Sequence, residues 1–218
     1  MPIRKPFPAE YPLKDPKRYR RVMGIDSCTQ SLAWTVVETN RPKSHGKLAL
    51  PTGALVPIKL RTIISEFPKL LAEQKPSVIF IEKPIYVRSQ ETARVLSYVV
   101  SCIVTIALQE GIEIYEVAPM TWKTWLGYTA LTRKFTTSCT KKLGKAPATK
   151  FCNDLRKSQT LRVIKHNFKT WAVTDHDIND SCGIALYGYE QLNKPLKLDI
   201  SKSIAIDQPQ LSKLGLVL

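Results

Sequence analysis

Two short runs of the chain are apolar on both strand faces, and each ends in a carboxylate. Val22-Met23-Gly24-Ile25 leads into Asp26, and Ser77-Val78-Ile79-Phe80-Ile81 leads into Glu82. Runs of this kind read as strands covered on both sides, so the chain has to supply layers above and below a sheet. Leaving a buried carboxylate unpaired costs several kcal/mol, roughly the effective penalty of burying an ion. Something cationic therefore has to sit near Asp26. A turn-capping role would explain one such acid; two of them need a shared explanation.

The elements around these runs follow in order. After Asp26 the polar Ser27–Gln30 turn returns into Leu32–Val37, which predicts a hairpin. Asn40 to Lys47 reads as a polar turn, and Leu48 to Ile58 as a third, edge-like strand around Pro51 and Gly53. Ile63, Ile64, Phe67, Leu70 and Leu71 stand at helical spacing, with a kink or break predicted at Pro68. Ser89 is placed to cap a helix from Gln90 to Gln109, with Ala93, Leu96, Val100, Val104 and Ala107 on one stripe. Its apolar stretch, Val95 to Leu108, is too short to span a bilayer and reads as a core helix. Ile112 to Val117 gives a fifth strand. Thr121 is placed to cap a short helix, Trp122 to Leu126, stopped by Gly127. Residues 128–156 read as a loop or flexible insertion, Leu155 to Phe168 as a basic helix, and Asp175 to Leu192 as the last strong helix. The pattern predicts an α/β domain over residues 21–192, a mixed five-stranded sheet flanked by helices. A basic, proline-rich arm (residues 1–20) precedes it and a tail (residues 193–218) follows.

Charge placement narrows the partner. The net charge of the 218-residue chain is +15. Residues 1–21 carry +5 and residues 128–169 carry +10, while the rest of the chain nearly cancels. Excess positive charge confined to two blocks is the footprint of a surface that neutralises phosphates, with nucleic acid ahead of membrane. The five cysteines are scattered without a CxxC pair, which argues against a disulfide framework and fits a cytosolic or nucleoid location. Cys139, Cys152 and His166 lack the close pairing of a zinc site.

The acids then form a constellation. Asp26 and Glu82 end strands that can be neighbours in a mixed sheet. Asp177 and Asp180, three apart at the start of the last helix, share a face. Acids in a first turn also suit the helix dipole. Four carboxylates converging at one point are tolerable around metal, and hard oxygen ligands select Mg²⁺ or Mn²⁺ over zinc. Beside a polyanion-binding surface, this predicts metal-assisted phosphodiester hydrolysis, with two ions about 3.5–4 Å apart.

The order GID at 24–26, IE at 81–82 and D-x-x-D at 177–180 resembles the RuvC Holliday-junction resolvases of the ribonuclease H-like superfamily. Ala118-Pro119-Met120-Thr121-Trp122-Lys123 and Lys157-Ser158-Gln159 resemble that family's two lysine motifs. The resemblance spans about residues 21–192 and implies Asp26, Glu82, Asp177 and Asp180 as ligands of Mg²⁺. It implies Lys123 and Lys157 as cations that stabilise transition-state charge, with Lys150 as the alternative to Lys157. Asp175 and His176 are alternative ligands. Tyr86 falls where the family places an aromatic wedge. Arg88, Arg133, Lys134, Lys141, Lys142, Lys145, Lys150 and Arg156 are the expected DNA contacts. The implied protein is a homodimeric endonuclease acting on four-way or branched DNA, with no membrane. The chain departs from the family in reading Asp26-Ser27-Cys28 where D-P-G is usual, and in about twenty extra basic residues before Lys157. Its compact, basic form fits a phage or organellar version. Three other readings stay open: a ribonuclease H-like nuclease of flaps or RNA–DNA hybrids, a non-catalytic junction-binding protein, and an actin-like ATPase. The last lacks a glycine-rich phosphate loop after Asp26.

Overall fold

The computed structural model describes residues 20–84, 89–128, 133–193 and 195–200. Five strands form one mixed sheet: β1 (Arg21–Ser27), β2 (Ser31–Glu38), β3 (Arg41–Ala49), β4 (Val78–Glu82) and β5 (Glu113–Val117), in the order β3-β2-β1-β4-β5. β1 pairs antiparallel with β2 and parallel with β4, and β4 runs parallel to β5. The helices are α1 (Val56–Gln74), α2 (Gln90–Gln109), α3 (Pro119–Trp125), α4 (Arg133–Leu143), α5 (Lys145–Asn167) and α6 (His176–Leu192). This is the expected mixed five-stranded α/β architecture.

The doubly apolar strands sit in the middle of the sheet for the reason their sequence gives. Met23, Ile25, Ile79 and Ile81 point to one face and bury there with Phe67, Leu71, Val99 and Ile103 from α1 and α2. Val22, Val78 and Phe80 point to the other and bury with Trp122, Ile184 and Tyr187 from α3 and α6. Alternation along one strand thus serves two cores.

Several expected elements are corrected. The third strand is Arg41–Ala49, not Leu48–Ile58. Thr39 and Asn40 both take positive φ (49° and 66°), closing a two-residue hairpin turn directly into β3. β3 alternates exposed and half-buried residues along its length because it is a sheet edge, which is why its polar sequence reads as a turn. Pro68 lies inside α1 without breaking it, since Ile63, Phe67 and Leu71 on either side are buried against the sheet. α3 begins at Pro119, with Ala118 and not Thr121 at its N-cap. Ser89 caps α2 as expected, accepting from the Thr92 amide. α2 runs to 20 residues, and its length and composition alone would suffice to cross a membrane. Val99, Val100, Ile103, Ile106 and Ala107 nevertheless pack it on the sheet layer.

The largest correction concerns residues 128–156. Residues 133–156 there are helical: α4 and the first half of α5 meet at Gly144, whose φ of +80° suits the sharp reversal. Phe135, Cys139, Ala148, Cys152 and Leu155 form a small core between them. Cys139 and Cys152 thus serve packing, while His166 Nε2 lies 2.8 Å from Asp199 Oδ2. Residues 195–200 lie on the body, with the Leu196 amide donating to Glu190 Oε2 at 2.7 Å.

Candidate active site

Parallel pairing of β1 with β4 sets Ile25 beside Ile81, so the next residues, Asp26 and Glu82, come side by side near the ends of the two strands. α6 lies directly across β1. It can do so because residue 24 is glycine: a Cβ there would overlap the Ser181 carbonyl oxygen and the Ala185 nitrogen. Thr35 on β2 fixes the crossing, its Oγ1 lying 2.8 Å from Ser181 Oγ and donating to the Ile178 carbonyl at 3.3 Å. The first two turns of α6 therefore bring Asp177 and Asp180 to Asp26.

The result is a crowd of negative charge. Burial pushes the Asp26 carboxyl well above the usual range, and Glu82, Asp180 and Asp177 push it further the same way. Lys123 is the cation that opposes them, as the buried strand-end acid requires. Burial likewise raises Glu82, more than Lys123 and the Trp122 hydrogen bond lower it. Trp122 Nε1 donates to Glu82 Oε2 at 2.8 Å. Its ring fits beside α6 because Gly183 leaves room; a Cβ there would stand 2.6 Å from the ring. Lys123 Nζ lies 3.1 Å from Asp180 Oδ2. Burial draws the Lys123 ammonium down, and Asp180 and Glu82 more than restore it.

Sequence reasoning missed Lys47 and the role of the Trp122 indole. Lys47, from β3, reaches Asp175 Oδ2 at 2.8 Å and Asp177 Oδ2 at 2.7 Å. Asp175 stands just before α6, where its Oδ1 accepts from the amides of Asp177 and Ile178 as an N-cap. Both of its oxygens are thus engaged. His176 is exposed. Register across the sheet was the signal for Lys47, and it is legible only once β3 is placed.

The chemistry of the donors fits a hard divalent cation. Glu82, Asp180 and Asp177 all stand close enough to Asp26 to raise its carboxyl, and Asp180 acts on Glu82 in the same way. Among the described residues no three acidic, histidine or cysteine side chains already stand at ligating distance of a common point. Two of the four acids are instead held by lysine ammonium groups and a third by an indole N–H.

No family model matches the chain. Its sequence is similar to crossover junction endodeoxyribonuclease RuvC of Halorhodospira halophila, 28% identical over 102 residues that cover 45% of this chain and 61% of that one. The Brevibacillus brevis RuvC is 27% identical over 104 residues, covering 46% and 63%. The chain thus spans about three fifths of the length of these curated relatives. Among solved structures, Thermus thermophilus RuvC in complex with Holliday junction substrate matches with a TM-score of 0.55 at 18% identity, over 81% of this chain and 99% of that one. The chain is thus similar to RuvC in part of its sequence and in its fold.

The expected basic residues from Arg133 onward lie on the helical pair. Arg133, Lys134, Lys141, Lys142, Lys145, Lys150 and Arg156 are all exposed on α4 and α5. Lys157 is exposed too, and with Lys145, Thr149, Lys150 and Asn153 it lines one groove along α5. Among the described residues it makes no ion pair with the four acids, so Lys157 and its alternative Lys150 share one environment. Tyr86 and Arg88 lie outside the described residues.

Proposed function

We propose that this chain is a metal-dependent, structure-selective DNA endonuclease that resolves four-way or branched junctions by paired nicks. The observation that carries this reading is the gathering of Glu82, Asp177, Asp180 and Lys123 around Asp26, where β1 and β4 end, on a RuvC-like fold. In this reading the four acids hold Mg²⁺, with Mn²⁺ able to replace it. When bound, the metal would supply Lewis acidity toward the phosphate and an activated water.

The chain's own residues do the rest. Trp122 fixes the Glu82 carboxylate, and Lys123 offers a half-buried ammonium where phosphate charge grows. The lysines of α4 and α5 hold backbone phosphates away from the acids, which would otherwise repel a polyanion. Lys157 belongs with them in this reading, on the groove it shares with Lys145 and Lys150. A homodimer is the natural partner of a junction that needs two symmetric nicks.

The deciding experiment compares a four-way junction with linear duplex, flap and RNA–DNA hybrid, in Mg²⁺ and in EDTA. Paired nicks in the junction alone, abolished by EDTA, are expected. Cleavage of the flap or hybrid in preference would reassign the substrate, and binding without cleavage in either metal would overturn the assignment as an enzyme.

A further inference from the structure

The proposed ion site is not electrically bare. Pairing places Ala33 opposite Asp26 and Lys47 opposite Ala33, so Asp26, Ala33 and Lys47 form one row across β1, β2 and β3. Residues directly opposite one another share a sheet face. Lys47 therefore rises on the acid side of the sheet, and the small Ala33, fully buried between, leaves its chain free to cross toward α6. There its ammonium bridges Asp175 at 2.8 Å and Asp177 at 2.7 Å. The lysine is partly exposed and stands on an edge strand, so it can leave without disturbing the core. An ion that uses Asp177 has to compete for the same oxygen.

We propose that Lys47 is a resident counter-cation that tempers the affinity of the acid cluster for divalent ions and is displaced when one binds. This rests on the reading of the acids as metal ligands. Before an ion binds, the ammonium offsets carboxylate repulsion and holds Asp177 in place while it also restrains the N-cap Asp175. On ion binding it is released to the sheet edge, where a substrate phosphate is its natural next partner. The cost of displacing one unit charge from two carboxylates is subtracted from ion binding, so its removal tightens binding by about tenfold.

The test is calorimetric titration of the full chain with Ca²⁺ at fixed ionic strength, comparing Lys47→Met and Lys47→Arg with the parent. Lys47→Met is expected to bind about tenfold more tightly, and Lys47→Arg, which keeps the charge, close to the parent. Equal or weaker binding in Lys47→Met overturns the proposal. A second measurement needs no variant: acetylation of Lys47 by an amine-reactive reagent, followed by mass spectrometry, should quicken when Ca²⁺ is added. An unchanged rate at a saturating concentration overturns the proposal while leaving the nuclease reading intact. A parent protein that takes up no Ca²⁺, Mg²⁺ or Mn²⁺ overturns both.

Discussion

Lys123 Nζ stands 3.1 Å from Asp180 Oδ2, tying α3 to the first turns of α6 through the centre of the acid cluster. The pair is mostly shielded from water on both sides, so its attraction is worth more than that of a surface ion pair. It also explains why acids from two strands and one helix can share so small a space. One ammonium acts on Asp180, Glu82 and Asp26 together.

Replacing a carboxylate by its amide keeps the shape and removes the charge. Asp26→Asn and Asp180→Asn are each expected to lower single-turnover junction cleavage by about a thousandfold or more. Junction binding in a gel-shift assay should be unchanged or tighter, because a phosphate repeller is removed. Full cleavage in either variant would remove these residues from the site.

Lys123→Ala takes away the half-buried ammonium but no carboxylate. Cleavage should slow by about a hundredfold, the scale of losing one preorganised charge donor. The Mn²⁺ binding isotherm should persist; its disappearance would mean that Lys123 acts by holding Asp180 and not through the substrate.

Gly24→Ala tests the placement of α6. The new methyl would meet the helix backbone, which cannot give as a side chain can. Overpacking of this kind costs about 1–3 kcal/mol or somewhat more, read as a lower urea midpoint. Cleavage should fall further than the stability loss explains, because α6 carries Asp177 and Asp180 away from Asp26.

The lysines of α4 and α5 should govern affinity and not chemistry. Changing Lys141, Lys142, Lys145 and Lys150 together to Gln is expected to flatten the salt dependence of junction binding, by about 0.9 in log–log slope for each phosphate no longer neutralised. The cleavage rate at saturating enzyme should stay within about twofold of the parent. An unaltered slope would mean that the pair faces no DNA.

Asp175 gives a pH signature. Burial tends to raise its carboxyl, but the bond to Lys47 and the amides of Ile178 and Asp177 outweigh that and hold it below the ordinary range. A depressed folded-state value means its stabilisation is present above the unfolded aspartate value of about 3.9 and fades as pH falls through the folded one. Asp175→Ala should therefore cost about 1 kcal/mol at neutral pH, the usual worth of an N-cap. Denaturation curves of parent and variant should draw together as the pH falls through the folded-state value.

The central sheet and its acids are legible in the sequence because strands buried on both faces leave no choice of residue: Val22 to Ile25 and Val78 to Ile81 must be apolar throughout. β3 is hidden for the opposite reason. As an edge strand it is free to carry Arg41, Lys43, His45 and Lys47, and nothing in such a run distinguishes it from a turn. With β3 goes Lys47, whose bond to Asp177 spans 130 positions of sequence. α4 and α5 are hidden because their shared core is made of few residues, two of them cysteines and one an alanine, among many charges. Asp175 stands out as an acid, but its commitment to capping depends on where α6 begins, the least predictable feature of a helix.

The small cluster between α4 and the first part of α5 shares no residue with the clusters that pack the sheet, α6 and the later part of α5, where Val163 and Ile164 lie. Selection acting on grip and selection acting on chemistry therefore fall on different side chains. A lineage could lengthen, shorten or recharge α4 and the first part of α5 without renegotiating the packing that sets Asp180 against Asp26. The glycine-floored crossing of α6 over β1, by contrast, has almost no room to change.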